Sequence, residues 1–289
     1  MRKAFFCAAA ALLLLTTTAG AVTIYAPNGL ARPTNGPDDL IMFDSANPAG
    51  YTVVGSMNVP NIGFGGMDFD RNGNLWAYAS FYKSTGGAAT GLYHVDLATG
   101  QATQQGSAGL QSLQDLAFNP TNNTMYGVNT QGTVTKLYTV NLTSGGTSLV
   151  GTFTGLPDVQ HSMGLAIDAT GNFYVQDLET DRIYKGAGLA LTQLYQLPQD
   201  TNFSQGMTID WSRDNQGYHA AVGYGTFPHY FSQLNYFTTD GSSYTLGSDF
   251  GPELPDGLPP VECGDVAIMP VPEPGSLLLL TIAVLFRRR

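Results

Sequence analysis

The sequence predicts an all-β protein, because short runs of alternating apolar and polar residues recur and long helical patterns are absent. Clusters of Gly, Asn, Asp, Thr and Ser separate these runs, as is typical of turns between strands. Apart from its two ends, the chain offers about 250 residues, enough for one large β domain with a substantial core.

An internal repeat refines this prediction. One strand recurs five times, as GMDFD at 66–70, DLAFN at 115–119, GLAID at 164–168, GMTID at 206–210 and DVAIM at 265–269. Each of the first four copies precedes two further apolar strands and a weaker fourth one. Four strands repeated at this interval are typical of the blades of a β-propeller.

The fifth copy predicts how the ring closes. Only its first strand, 265–269, remains before the C-terminal end, and the missing strands are found near the N-terminus, at 22–26, 39–44 and 51–56. When Ile24 is aligned with Trp76 of the first complete repeat, the number of residues to the next strand is the same in both segments. The sequence therefore predicts five four-stranded blades, four continuous and one split between the two ends. A six-bladed ring is the alternative, with irregular strands within 249–260.

Two segments, MDFDRNGNLWAY (67–78) and LAIDATGNFYVQ (165–176), resemble the blades of the NHL and gluconolactonase/regucalcin-like propellers. Those blades share the pattern G-[MLI]-[AD]-[FVI]-D-x-x-G-N-[LF]-[YW]-V. The resemblance implies the shape of the domain more than its activity, because these families include lactonases, metal-dependent hydrolases and binding modules.

Residues 1–21 have the features of a secretory signal peptide. Arg2 and Lys3 precede an apolar region, and Ala19-Gly20-Ala21 predicts cleavage after Ala21. Cleavage would remove Cys7 and leave Cys263 alone, so the exported domain, 22–270, is expected to fold without an internal disulfide.

Residues 271–289 form a three-part C-terminal tail. Its Leu277–Phe286 run, at about 15 Å as a helix, is short of a full membrane span. The motif residues around this run are Val271, Pro272, Glu273, Pro274, Arg287, Arg288 and Arg289.

The tail resembles the PEP-CTERM sorting signal, although its apolar run is shorter than usual. The resemblance implies export by the secretion machinery and transient association with the inner membrane. It also implies recognition by an exosortase, a membrane-embedded cysteine transpeptidase of Gram-negative bacteria that often make exopolysaccharide. The expected location is the cell surface or extracellular matrix of such a bacterium.

The domain between the signals is strongly acidic. Five of the 12 Lys and Arg residues and one of the 22 Asp and Glu residues lie in the two end segments, which leaves 7 basic against 21 acidic residues, a net charge of −14. Such a surface repels phosphate backbones and disfavours nucleic-acid binding. It also serves solubility.

The turn at 68–74 has two interpretations. Asp68, Asp70 and Asn72 alternate before Gly73, as in the first half of an EF-hand loop, which suggests Ca²⁺ or another divalent cation. However, the twelfth position of such a loop would be Ala79 rather than Glu, and the flanking segments are strands. A plain hairpin turn is the other interpretation.

A second candidate metal set lies where the innermost strands begin. Asp115 and Asp265 hold one repeat position, and His161, Glu262 and Cys263 are nearby in the sequence. Asp, Glu and His converging on the ring axis would suit a divalent ion. Polar lining of the channel is the alternative, because Gly66, Gly164 and Gly206 fill the same repeat position in the other three blades.

The segment 223–237 crowds aromatic residues around a proline. Tyr224, Phe227, His229 and Tyr230 are candidates for a surface that stacks on a sugar or contacts a partner protein. Packing within the blade core is the other interpretation.

Together these features favour a non-enzymatic envelope or matrix protein that binds or displays a ligand, such as a polysaccharide or an envelope protein. A secreted metal-dependent hydrolase or lactonase of the gluconolactonase-like kind is the alternative. A structural spacer is a third hypothesis.

Overall fold

The computed structural model describes residues 21–29, 36–82, 90–106, 112–158, 161–201, 205–224, 230–252 and 261–271. The chain is an all-β, five-bladed β-propeller built from five four-stranded antiparallel sheets. The sequence prediction is confirmed, and the six-bladed alternative is wrong.

Four blades are continuous in sequence. Blade 1 consists of β4 (Ile62–Phe69), β5 (Leu75–Tyr82), β6 (Gly91–Val95) and β7 (Ala102–Gln104). Blade 2 consists of β8 (Asp115–Asn119), β9 (Thr124–Gln131), β10 (Val134–Val140) and β11 (Thr147–Thr152). Blade 3 consists of β12 (Ser162–Ile167), β13 (Phe173–Asp177), β14 (Arg182–Gly186) and β15 (Thr192–Gln196). Blade 4 consists of β16 (Gln205–Ile209), β17 (Gln216–Tyr224), β18 (Tyr230–Thr238) and β19 (Tyr244–Asp249).

Blade 5 joins the two ends of the chain. It consists of β20 (Ala267–Ile268), β1 (Thr23–Asn28), β2 (Asp39–Asp44) and β3 (Asn47–Ser56), in that order from the axis outward. The pairing of Ile24 with Ile268 and a bridge between Asn28 and Cys263 fix the register. The predicted inner strand, 265–269, is therefore regular only at its centre.

The core lies between neighbouring blades. The residues aligned in the repeat are all buried, with exposures of 0–1%: Met67, Leu116, Leu165, Met207 and Val266. One apolar cluster, for example, combines Val128 of blade 2 with Leu165 and Val175 of blade 3. Burying such a side chain contributes about 1.5–3 kcal/mol, and that contribution exists only when the neighbouring blade is present.

The two ends of the ring differ in their connections. At the end where the innermost strands begin, here called the loop face, the connections between blades vary from the short segment 57–61 to the long segment 250–266. The opposite end is here called the turn face, and its connections join successive strands of the same blade. All of them are short: the shortest is 45–46, and none is longer than 96–101 or 210–215. The loop face therefore carries the longer and more varied segments.

Candidate functional site

Three buried aspartates lie at the centre of the ring. Asp115 begins β8, Asp265 precedes β20, and Asp68 lies within β4; their exposures are 0%, 0% and 7%. A buried carboxyl group is costly unless hydrogen-bond donors surround it, so its partners reveal its role.

Each of these carboxyl groups connects its own blade to the next one. Asp115 Oδ2 accepts a hydrogen bond from Leu165 N at 2.5 Å, and Asp68 Oδ2 accepts one from Phe118 N at 2.7 Å. Asp265 Oδ2 accepts one from Met67 N. The other oxygen of each carboxyl group accepts from the backbone N–H of the following residue. The three aspartates therefore hold the innermost strands together.

Asp115 and Asp265 also contact each other. The Asp115 and Asp265 carboxyl groups are hydrogen-bonded to each other, although blades 2 and 5 are separated by blade 1. Burial raises the pKa of both groups well above the ordinary value, and at Asp115 the negative charge of Asp265 adds to the rise. The pair therefore retains a proton at pH values where an exposed aspartate is ionised.

Asp68 lies close enough to this pair for its charge to raise the pKa of Asp265 further. Burial raises the pKa of Asp68 itself to about 7, against the opposing effect of its two backbone hydrogen bonds. The centre of the ring is thus a desolvated acidic cluster that is partly protonated near neutral pH.

Glycines make this close approach of strands feasible. A Cβ added to Gly66 would lie 2.6 Å from Leu116 N, and one added to Gly206 would lie 2.3 Å from Asp265 Cα. In each case the neighbouring blade has an aspartate at the repeat position that the glycine holds in its own blade: Asp115 beside Gly66, and Asp265 beside Gly206. Gly66 and Gly206 therefore have the predicted role of permitting close backbone approach, whereas the nearest atoms to a Cβ at Gly164 belong to side chains.

Contacts between blades also occur at the turn face. Arg71 donates to the carbonyl of Pro120, and Ala169 N donates to Asn215 Oδ1 at 2.9 Å. The ring of Trp211, from blade 4, lies 5.8 Å from that of Phe118 in blade 2, so it reaches past blade 3. The sequence alignment of the repeats gave no signal for this contact.

The turn after β4 is a hairpin turn organised by Asp70. Asp70 Oδ1 accepts from the backbone N–H groups of Asn72 and Asn74, at 2.9 and 3.0 Å, and Oδ2 accepts from Trp76 Nε1 at 3.2 Å. Gly73 adopts a φ of +79°, which a hairpin turn of this kind requires. The hairpin interpretation of this segment agrees with these contacts.

Asp168 in blade 3 repeats the arrangement. Its carboxylate accepts from the backbone of Thr170 and Asn172 and from the hydroxyl of Tyr174, at 2.9 Å, and these hydrogen bonds hold its pKa below the ordinary value against the effect of burial. The aromatic donor six positions after the aspartate was not recognised from the sequence. The repeated D-x-x-G-N-x-[WY] spacing was the signal that could have found it.

The other candidate metal ligands are distributed differently. His161 is half exposed, and its Nδ1 lies 3.7 Å from Glu179 Oε1, while its backbone N–H binds Asp177. Glu262 is half-buried, and its backbone pairs with Asn28 and Gly29 beside β1. Within the described ranges, no three His, Cys, Asp or Glu residues are grouped so as to hold a metal ion. The structure brings together Asp115 and Asp265 and does not group His161 with them.

Two further titratable groups are buried. Burial raises the pKa of the Cys263 thiol well above its ordinary value, and Asp265 and Glu262 raise it further, so the thiol stays protonated and unreactive. Burial lowers the pKa of His219 to about 3, and its Nδ1 lies 2.7 Å from the hydroxyl of Tyr244. His219 is therefore neutral near pH 7.

The predicted ligand surface is only partly within the described residues. Tyr224 ends β17 and Tyr230 begins β18. Because Ala221 of β17 pairs with Gln205 at the start of β16, these strand ends lie at the loop face. Phe227 and His229 lie outside the described residues, as do Pro272–Arg289 of the predicted sorting tail and most of the predicted signal peptide, 1–20. In the part of the chain that is described, no helix has the length and apolar character needed to cross a membrane.

The fold and its centre define a small β-propeller whose axial carboxyl groups join the blades. A family profile described as a domain of unknown function, DUF4394, matches residues 34–117, less than a third of the chain. This span covers two strands of blade 5, all of blade 1 and the start of blade 2. No curated protein matches the chain.

Among solved structures, a chain of the nidogen/laminin complex is similar over 88% of this chain and 100% of that one, with a TM-score of 0.52 and 13% identity. TolB from Acinetobacter baumannii gives a TM-score of 0.44 at 13% identity, over 87% of this chain and 67% of that one. Regucalcin, a calcium-binding protein from Agrobacterium tumefaciens, gives a TM-score of 0.46 at 15% identity, over 79% of this chain and 73% of that one. The first likeness is one of fold alone, and the other two scores are too low to add to it.

Proposed function

We propose that this protein is an exported β-propeller that binds or displays a ligand in the cell envelope or extracellular matrix. The ligand surface would be the loop face, and the ligand class that its aromatic residues suit best is a polysaccharide. The C-terminal tail would be a PEP-CTERM signal that holds the precursor at the inner membrane until an exosortase processes it.

The difference between the two faces is the observation that carries the binding proposal. The connections of the turn face are no longer than 96–101, whereas the loop face includes the much longer segment 250–266. Long connections presented by a rigid scaffold are where propellers and similar folds place their recognition residues. Two residues of the predicted ligand surface, Tyr224 and Tyr230, stand at strand ends on this face, and tyrosine as a residue type combines an apolar ring with a polar hydroxyl.

The hydrogen bonding of the axial carboxyl groups supports binding rather than hydrolysis. Both oxygens of Asp115 and of Asp265 accept backbone hydrogen bonds, one from the following residue and one from the inner strand of the neighbouring blade. An aspartate in such a role stabilises the ring and has little freedom to act on a substrate. We therefore assign the recognition surface to the loops around the channel and not to the channel itself.

A glycan array tests the binding proposal. The domain 22–270 is compared with the double variant Phe227→Ala/Tyr230→Ala, and we expect the variant to lose at least tenfold in apparent affinity for any bound glycan. The control is Leu149→Ala/Val150→Ala, which removes two exposed apolar side chains from the outer strand of blade 2. Unchanged glycan binding by the first variant would remove this surface from consideration.

The sorting proposal has its own test. Mass spectrometry of the protein recovered from its natural host should give an N-terminus at Val22 and a C-terminus within the tail, before the arginine cluster. An intact chain ending at Arg289 in cells that contain an active exosortase would contradict the sorting proposal and leave the binding proposal standing.

A further inference from the structure

The start of the C-terminal tail is held at the turn face. Val271, the first residue of the Val-Pro-Glu-Pro motif, donates its backbone N–H to Ser212 Oγ at 3.0 Å. Slightly earlier in the chain, the carbonyl of Met269 accepts a hydrogen bond from Arg213 at 3.4 Å. Ser212 and Arg213 belong to the turn between β16 and β17.

This anchoring turn is itself well fixed. Arg213 Nη1 lies 2.6 Å from Oδ2 of Asp210, which is almost fully buried. Asn215, in the same turn, accepts the hydrogen bond from Ala169 of blade 3. Val271 is 44% exposed, so the chain leaves the domain here at the surface.

The other end of the exported domain lies at the same face. Val22 N donates a hydrogen bond to Ser45 Oγ at 3.0 Å, and Ser45 N donates one to the carbonyl oxygen of Val22 at 2.9 Å. Ser45 lies in the short connection between β2 and β3. The predicted N-terminal processing point and the start of the tail therefore lie on the side of the ring opposite the loop face.

Only the segment 272–276 separates Val271 from Leu277, where the apolar run begins. Fully extended, this segment spans at most about 20 Å, which is similar to the height of a blade. We propose that, while the tail holds the chain at a membrane, the turn face is directed toward the bilayer and the loop face points away from it. This inference rests on the proposed membrane role of the tail.

The orientation gives the loop face access to a ligand before the tail is processed. It also places exposed carboxylates near the lipid. Hydrogen bonds within their own turns lower the pKa of Asp96 and Asp240, so both stay ionised at the turn face. Anionic lipid would repel them, which makes neutral lipid the suitable probe membrane.

Energy transfer from two matched sites measures the orientation. Ala169→Cys and Glu179→Cys lie on either side of β13, at the turn face and loop face, roughly 20 Å apart. Each is introduced into the full chain with Cys7→Ser and labelled with a donor dye; buried Cys263 does not compete for the label. The acceptor is a dye-labelled lipid in phosphatidylcholine vesicles.

We expect at least twofold higher transfer efficiency from position 169 than from position 179. A second matched pair, Asn122→Cys and Thr133→Cys in blade 2, repeats the measurement if either first variant does not fold. Equal or reversed efficiencies on vesicle-bound protein would overturn the orientation and leave the membrane role of the tail intact. Failure of the full chain to bind vesicles at all would overturn both.

Discussion

Asp115 and Asp265 share a hydrogen bond across the ring, and each of the two also accepts the backbone N–H of a neighbouring blade. This arrangement joins blades 2 and 3, blades 5 and 1, and blades 2 and 5 through two side chains. It predicts which substitutions the centre of the ring tolerates.

Asp115→Asn should be tolerated and Asp115→Ala should not. An amide can still donate to Asp265 and accept from Leu165 N, but it no longer accepts from Leu116 N, so we expect the free energy of unfolding to fall by about 1 kcal/mol. Alanine also leaves the N–H of Leu165 unpaired and removes the hydrogen-bond partner of Asp265, at a cost of about 3 kcal/mol or more. Urea denaturation measures both. Equal losses in the two variants would show that the hydrogen bonds are not the reason for the aspartate.

Stability should depend on pH through Asp68. Its pKa is about 7 in the folded protein, above the ordinary 3.8, so the folded state binds more protons between these values. The contribution is complete below pH 3.8 and is lost as the pH rises through about 7. His219, with a folded pKa of about 3, acts in the opposite direction between pH 3 and 6.5.

Comparison with Asp68→Asn isolates the contribution of Asp68. The free energy of unfolding of the wild type, relative to that of the variant, should fall by roughly 2–4 kcal/mol between pH 4 and pH 8. Denaturant titrations at several pH values measure it. Parallel stability curves for the two proteins would exclude a raised pKa at Asp68.

Gly206→Ala should be far more damaging than Gly164→Ala. The added Cβ at position 206 would lie 2.3 Å from the Cα of Asp265, whereas at position 164 the nearest atoms, of Gln176 and Met207, are 3.2 Å away. A backbone atom cannot move aside as a side chain can. We therefore expect the free energy of unfolding to fall by about 3 kcal/mol or more in Gly206→Ala and by about 1 kcal/mol in Gly164→Ala. Thermal and urea unfolding of the two variants provide the comparison, and similar losses would contradict it.

Tyr174→Phe should destabilise the domain more than Tyr126→Phe, its counterpart in blade 2. Tyr174 donates to the buried carboxylate of Asp168, whereas the hydroxyl of Tyr126 accepts a hydrogen bond from the exposed side chain of Asn122. We expect the free energy of unfolding to fall by about 1–2 kcal/mol in Tyr174→Phe and by less than about 0.5 kcal/mol in Tyr126→Phe. Adding about 10 mM Ca²⁺, a concentration well above the dissociation constants of weak calcium sites, should leave the difference unchanged. A calcium-dependent rise in Tm would revive the calcium interpretation of these turns.

The blade count and the split blade could be predicted because the inner strand repeats a strong apolar position. Met67 and its four counterparts must each be buried against a neighbouring blade, and this requirement leaves the same pattern in each copy. The register of blade 5 was less predictable. In blade 5, Ile24 pairs with Ile268 of the innermost strand. The equivalent pair in blade 1 is Leu75 with Phe69, so Ile24 corresponds to Leu75, and the alignment of Ile24 with Trp76 is wrong by one position. Aromatic and aliphatic residues both suit a half-buried strand, so composition does not decide a shift of one position.

The centre of the ring was only partly predictable. The shared repeat position of Asp115 and Asp265 indicated that both lie at the channel, and the structure places them in contact there. Their role depends on which atoms of other blades lie within hydrogen-bonding distance, and the sequence of one blade does not contain that information. The contact of Trp211 with Phe118 escaped prediction for the same reason.

Blade 5 takes its innermost strand from the segment 265–269 and its other strands from the segment 23–56, so the ring is incomplete until the segment 265–269 has been synthesised. A chain truncated before residue 261 would be an open arc. Its two end blades would leave apolar side chains such as Ile24 and Ala220 uncovered by Val266 and Ile268, with which they form one cluster. Such fragments should be held by chaperones or degraded, so that only chains that include the segment 265–269 persist as folded protein.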